Sequence, residues 1–194
     1  TIGGDPLLVR TGALYHDIGK IDNPQYFTEN QVGEVSPHEE LSNEESARII
    51  KNHVLHGVDR ARRYKLPDQI IDFIRTHHGT GKIGYFYAMA QKEISETPVD
   101  ERLYTYPGPE PFSKETCVLM MSDAVEAASR SLKTPSEHTI NELVDKIVNN
   151  QIQLKQFENA DITFKDISSV KEVLKRRLKN MYHVRIDYPA EALK

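Results

Sequence analysis

The sequence predicts an all-α protein, a bundle of amphipathic helices. Three observations carry this. Apolar residues recur at helical spacing and nowhere alternate convincingly with the two-residue period of a strand. Most of these runs open on a helix-start signal. Histidine and aspartate residues gather at the ends and margins of the apolar runs, where a plain surface would not put them.

In chain order, Thr1-Ile2-Gly3-Gly4 reads as the end of an earlier helix and its glycine stop, so the chain is expected to be part of a longer protein. Asp5-Pro6 pairs an N-cap with a proline at the first helical position, predicting a helix from Leu7 to a stop at Gly19. The stretch Lys20 to Leu41, with Asn23-Pro24, Gly33 and Ser36-Pro37, reads as a long loop, and such loops are often functional. Ser42 and Glu45 form a capping box for a helix running to about Tyr64, with Ala47, Ile50, Val54, Val58 and Ala61 on its apolar face. His53 falls on the margin of that face, and His56 points away with Arg60 and Arg63.

Pro67-Asp68 opens a third helix that buries Ile70, Ile71 and Ile74 and ends on His77-His78 before Gly79. A helix over about Tyr85 to Ile94 follows, and then Thr97 to Pro111 reads as a surface excursion whose Tyr104 and Tyr106 pack onto their own domain. Ser113 caps a helix that buries Cys117, Met120, Met121, Ala124, Val125 and Ala128, with Asp123 beside them. Two more helices are expected, over about Ser136 to Gln153 and Asp166 to Tyr182.

Composition narrows the function classes. With 194 residues, 38% of them hydrophobic and 28% charged, the chain is long enough and apolar enough to bury a core as one domain. A net charge of −4 argues against a nucleic-acid polymer as partner while leaving a small phosphate ligand open. Cys117 is alone, so no internal disulfide forms, and its apolar setting reads as inert core. No apolar run approaches the ~20 residues of a membrane span, and no P-loop, dinucleotide-binding glycine motif or nucleophile elbow is present.

His16, Asp17, His53, His77, His78 and Asp123 are the candidate metal ligands. An isolated histidine such as His53 is ordinarily a hydrogen-bonded core residue; the adjacent pairs His16-Asp17 and His77-His78, each closing an apolar helix, are the stronger signal. Imidazole and carboxylate together suit iron, manganese or zinc better than calcium or magnesium. Asp17 could bridge two ions, and a metal-activated hydroxide would then attack phosphorus without a side-chain nucleophile. His38, His56, His138 and His183 are read as ordinary solvated residues.

The order H-D, H, H-H, D resembles the HD-domain phosphohydrolase superfamily in its two-metal form. More closely, Tyr15-His16-Asp17-Ile18-Gly19-Lys20, Tyr26-Phe27-Thr28-Glu29-Asn30-Gln31, His77-His78-Gly79-Thr80, Tyr85-Phe86-Tyr87, Ser122-Asp123-Ala124-Val125-Glu126-Ala127 and Tyr182 to Pro189 look like the cytosolic domain of the bacterial seven-transmembrane HD proteins of the PgpH type. The resemblance implies an all-α HD-domain bundle, its metal site between core helices, that hydrolyses cyclic di-AMP to pApA with two iron or manganese ions. It also implies a cytoplasmic domain anchored in the bacterial inner membrane by segments outside this chain. By motif, His16, Asp17 and Asp123 would serve the first ion, and Asp17, His53, His77 and His78 the second. Asp17 and Lys20 are the candidate catalytic residues. Lys20, following the dyad, would meet a phosphate oxygen or else be a solvated lysine, and Thr80 is a second candidate substrate contact.

The family carries a further histidine on a helix upstream of the H-D pair, outside this chain, so the first ion is expected to be absent, weakly held or completed by water while the second still binds. The neighbouring HD-GYP enzymes of cyclic di-GMP carry a Gly-Tyr-Pro signature, whereas Gly79-Thr80-Gly81-Lys82-Ile83-Gly84-Tyr85-Phe86 lacks it, which favours the adenine dinucleotide. Cyclic di-GMP, nucleotide phosphates and a non-catalytic nucleotide sensor remain the alternatives at this point.

Overall fold

The computed structural model describes residues 2–31, 36–93 and 98–182. Among these, seven α-helices and several short 3₁₀ turns form the fold, with a single isolated β-bridge, Lys82 to Thr105. Among the described residues, no helix is long and apolar enough to cross a membrane.

The helix starts follow side-chain capping. The Asp5 carboxylate accepts from the backbone N–H of Leu7 and Leu8 and, with Pro6 behind it, opens α1 (Pro6–Tyr15). The Ser42–Glu45 capping box opens α2 (Asn43–Arg63). Pro67 precedes α3 (Asp68–Thr76), and α4 spans Gly84–Glu93. Ser113, Ser136 and Thr163 each accept from the backbone N–H three residues on and open α5 (Lys114–Ser129), α6 (Glu137–Gln153) and α7 (Phe164–Met181). Each such cap ties down a donor that the helix itself leaves unpaired.

Helix α2 runs through one half of the molecule, packed against α3, α4 and the 3₁₀ turn Ile18–Asp22. Helix α5 carries the other half, where Cys117, Met121 and Val125 meet Ile140, Val144 and Val148 of α6 and Ile167, Val170 and Leu178 of α7. Burial pushes the Cys117 thiol up to about 12, so it stays a neutral apolar group. Helix α1 packs on both α3 and α5 and joins the halves.

Three features differ from the sequence reading. Helix α1 stops at Tyr15, not Gly19, and His16 is its C-cap. The chain tightens into 3₁₀ turns because Gly19 lies against α2: a Cβ there would fall 1.8 Å from the His53 carbonyl oxygen and 2.5 Å from the Gly57 nitrogen. The stretch 98–111 is more deeply seated than a surface excursion, with Pro111 fully buried, while Tyr104 and Tyr106 pack onto the domain as expected. His38 is not a solvated residue: it is half-buried, with Nε2 2.9 Å from the Tyr26 carbonyl oxygen and its ring 4.9 Å from that of Phe86. Gly33, Ile94, Thr97, His183 and the closing 183–189 stretch lie outside the described residues.

The backbone crossing at Gly19 has no flexible side chain that could yield to a methyl group. Gly19→Ala should therefore destabilise the chain by about 3 kcal/mol, lowering Tm by about 10 °C. An unchanged melting temperature by differential scanning calorimetry would contradict the crossing.

Candidate metal centre

Three histidines share one local geometry. His16 at the end of α1, His53 in α2 and His77 at the end of α3 each turn Nδ1 to the backbone carbonyl three residues back, at 2.8 Å (Ala13), 2.5 Å (Ile50) and 2.8 Å (Ile74). A carbonyl only accepts, so Nδ1 carries a proton in each; in the neutral rings of His53 and His77 this leaves Nε2 with a lone pair, whereas His16 must first give up its Nε2 proton. All three Nε2 atoms then point into the space between α1, α2 and α3.

Asp17 stands at the centre. Its Oδ1 lies 3.4 Å from His53 Nε2 and 3.6 Å from His77 Nε2; its Oδ2 lies 3.2 Å from His16 Nε2 and 2.8 Å from Lys20 Nζ. Asp123 of α5 closes the other side, 3.3 Å from His16 Nε2 and 4.0 Å from His78 Nδ1. His78 stacks on Tyr106 with ring centroids 4.1 Å apart, which fixes its plane.

Two details show what this arrangement lacks. His16 Nε2 is buried between Asp17 Oδ2 and Asp123 Oδ1, with neither contact at good hydrogen-bond geometry. His53 Nε2 and His77 Nε2 face each other at 3.1 Å with both protons committed to backbone carbonyls, so two lone pairs oppose one another. A cation between them turns that repulsion into coordination, and separations of 3.1–3.6 Å suit neighbouring donors around one ion with bonds of about 2.1 Å. The donor atoms of His53, His77 and His78 lie within 4.8 Å of one another, as do those of His16, Asp17 and His77, two overlapping sets sharing His77. The residues present fit a divalent metal ion. The Nδ1 bonds supply the outer support that metal-bound imidazoles require.

The electrostatics follow from burial and neighbours. Burial, then the charges of His53 and His16, hold His77 down to about 3; burial likewise lowers His53 and takes His78 well below its ordinary value, so these three are neutral and ready to ligate. Burial alone would lower His16 too, but the carboxylates of Asp123 and Asp17 outweigh it and raise its pKa to about 10. Against the cost of burial, His16 holds both Asp17 and Asp123 below the usual carboxylate range.

All six candidate ligands thus converge. Lys20 joins them, paired with Asp17 and with Glu29 at 2.5 Å. Thr80 is engaged elsewhere: its hydroxyl donates to Glu110 at 2.9 Å and accepts from Gln156 Nε2 at 2.9 Å, while its N–H donates to Gln156 Oε1 at 3.0 Å. A ligand reaching Thr80 would have to displace Glu110. Sequence reasoning assigned no role to Glu29, nor to Phe27, whose ring meets His53 edge-on at 5.6 Å. Their only signal was membership of the Tyr26–Gln31 motif.

The family model described as the HD domain matches residues 1–128, the span that contains all six candidate ligands. The chain belongs to the HD domain family. This HD domain is 40% identical over 188 residues to proteins named cyclic-di-AMP phosphodiesterase PgpH from Bacillus subtilis and from Listeria monocytogenes, covering 97% of the chain in each case. It spans about a quarter of their length, 26%. Among solved structures it superposes on the L. monocytogenes PgpH HD domain with a TM-score of 0.88, covering 94% of this chain and 85% of that one at 40% identity. The same domain in complex with cyclic-di-AMP matches with a TM-score of 0.89, covering 96% and 85%. The seven helices are the HD fold.

Opposed pKa shifts give this HD domain a defined pH response. His16 titrates above its unfolded value, so its contribution is full below about pH 6.5 and lost as pH rises to about 10. Asp17 and Asp123 titrate below theirs, so their contribution is full above about pH 4 and lost on further acidification. His53, His77 and His78 resist protonation when folded, so stability also falls as pH drops below about 6.5. The chelated, metal-free domain should melt highest at about pH 7, where the four imidazoles of the unfolded chain together bind about as many protons as His16 alone does when folded, and metal binding there should release about one proton, from His16. A Tm flat between about pH 5 and pH 9, or metal uptake without proton release, would contradict these assignments.

Proposed function

We propose that this HD domain is a metal-dependent phosphodiesterase that hydrolyses cyclic di-AMP to the linear dinucleotide pApA. The observation that carries the reading is the convergence of His16, Asp17, His53, His77, His78 and Asp123 on one lone-pair-rich space. It occurs in a chain that matches, nearly end to end, a domain solved with cyclic-di-AMP. On this reading His16, Asp17 and Asp123 would hold one ion and Asp17, His53, His77 and His78 a second, with Asp17 common to both sets. Imidazole and carboxylate donors suit iron, manganese or zinc, and the family resemblance favours iron or manganese among them.

When bound, such ions supply an activated water and neutralise charge developing on phosphorus. The residues of the chain do the remainder. The backbone carbonyls of Ala13, Ile50 and Ile74 hold three imidazoles in the ligating tautomer. Tyr106 walls off His78 from one side, and burial keeps its phenol protonated, with the Asp123 and Asp17 charges adding to that effect. Lys20 offers a cation beside Asp17, placed to meet a non-bridging phosphate oxygen and lower the cost of its charge. The domain is read as the cytoplasmic part of a membrane-anchored protein, in keeping with the quarter of each relative that it spans.

Turnover decides between substrates. Metal-loaded protein should convert cyclic di-AMP to pApA in preference to cyclic di-GMP or nucleotide phosphates, with products separated by ion-exchange chromatography. Asp17→Ala should cut the rate by more than about 100-fold, since losing even an outer partner of a metal ligand costs up to that much. Unimpaired turnover by Asp17→Ala would sink the mechanism, and binding without product in the wild type would mark a sensor.

A further inference from the structure

The Lys20 ammonium stands between two carboxylates. It makes an ion pair with Asp17 Oδ2 at 2.8 Å and donates a hydrogen bond to Glu29 Oε1 at 2.5 Å. Its stem is largely covered, with Nζ 5.0 Å from the centroid of the Phe27 ring, and the same ring meets the edge of His53. The turn that carries Glu29 (Thr28–Asn30) follows directly on Phe27. His38 holds the Tyr26 carbonyl from the other side. Glu29 is thus fixed at the rim of the cluster while touching none of its donors.

The charges give this placement a consequence. Asp17 Oδ2 is also the oxygen that faces His16, so Lys20 occupies the oxygen an ion beside His16 would need. An ammonium and a metal ion compete for the same lone pairs. A second carboxylate on the far side of Lys20 weakens that competition, because the lysine keeps a partner when Asp17 turns to an ion.

We infer that Glu29 is a positioning residue that draws the Lys20 ammonium away from Asp17, freeing that carboxylate for metal while keeping the lysine at the rim for substrate. The inference rests on the metal reading above. It makes the effect of Glu29 conditional on Lys20, which a merely structural role would not do.

The test is a double-mutant cycle read by Mn²⁺ titration calorimetry on the whole chain, with circular dichroism to confirm folding. Glu29→Gln should weaken apparent Mn²⁺ affinity about five-fold, the scale of a partly exposed ion pair. In a Lys20→Met background the same change should have less than about a two-fold effect, because no ammonium is left to compete. Wild-type affinity in Glu29→Gln, or an equal loss in both backgrounds, overturns the inference alone. No Mn²⁺ binding by the wild type overturns the metal reading and the inference with it. A parallel measurement of KM should show Glu29→Gln raising it less than Lys20→Met does, and the reverse order would place Glu29, not Lys20, against the substrate.

Discussion

The bonds from three imidazole Nδ1 atoms to the backbone carbonyls of Ala13, Ile50 and Ile74 are each worth only about 1 kcal/mol to stability, yet the character of the site depends on them. They settle which nitrogen carries the proton. Without them His53 and His77 could share a hydrogen bond across their 3.1 Å contact and the centre would be an ordinary buried polar network. With them, Nε2 of His53 and of His77 is an unshared donor, and that of His16 becomes one on losing its proton, so the domain holds lone pairs that only a cation or a proton can reconcile. Because each carbonyl belongs to the same helical turn as its histidine, the helices themselves orient the ligands.

How much of this could be read from the sequence depends on whether a feature is local. The caps at Asp5, Ser42, Ser113 and Ser136 are contacts within three residues, and the predicted starts agree with the observed ones. The pairs His16-Asp17 and His77-His78 stood out because a helix end beside an apolar face is an expensive place for four polar side chains. The convergence of Asp123 and His53 with them could not be read from periodicity, since it depends on how α2 and α5 are laid across the ends of α1 and α3. Motif order carried that part.

Residues outside regular elements were the least legible. Glu29 sits in a three-residue 3₁₀ turn with no apolar period to mark which way it faces. Tyr106 stands just before an irregular, proline-rich stretch, and its stacking on His78 is a tertiary contact that no local rule encodes. Thr80, a candidate substrate contact from its motif, hydrogen-bonds Gln156 and Glu110, partners too distant in sequence for any local rule to supply. Gln156, buried just beyond α6, thereby ties the loop after His78 to the α5–α7 half of the molecule. The early end of α1 has a similar origin, because the close approach of Gly19 to α2 is visible only once both are in place.

The opposed lone pairs of His53 and His77 carry a consequence for the life of the chain. Ions that bind only the folded arrangement add RT ln(1 + [M]/Kd) to its stability, about 2.7 kcal/mol when the free ion stands at a hundred times Kd. For a domain of ordinary marginal stability that is a sizeable fraction of the whole. On the metal reading, the population of unfolded chains open to proteolysis then rises as the supply of the ion falls. A cell short of that metal would lose the protein as well as its activity, and the abundance of the domain would track the ion.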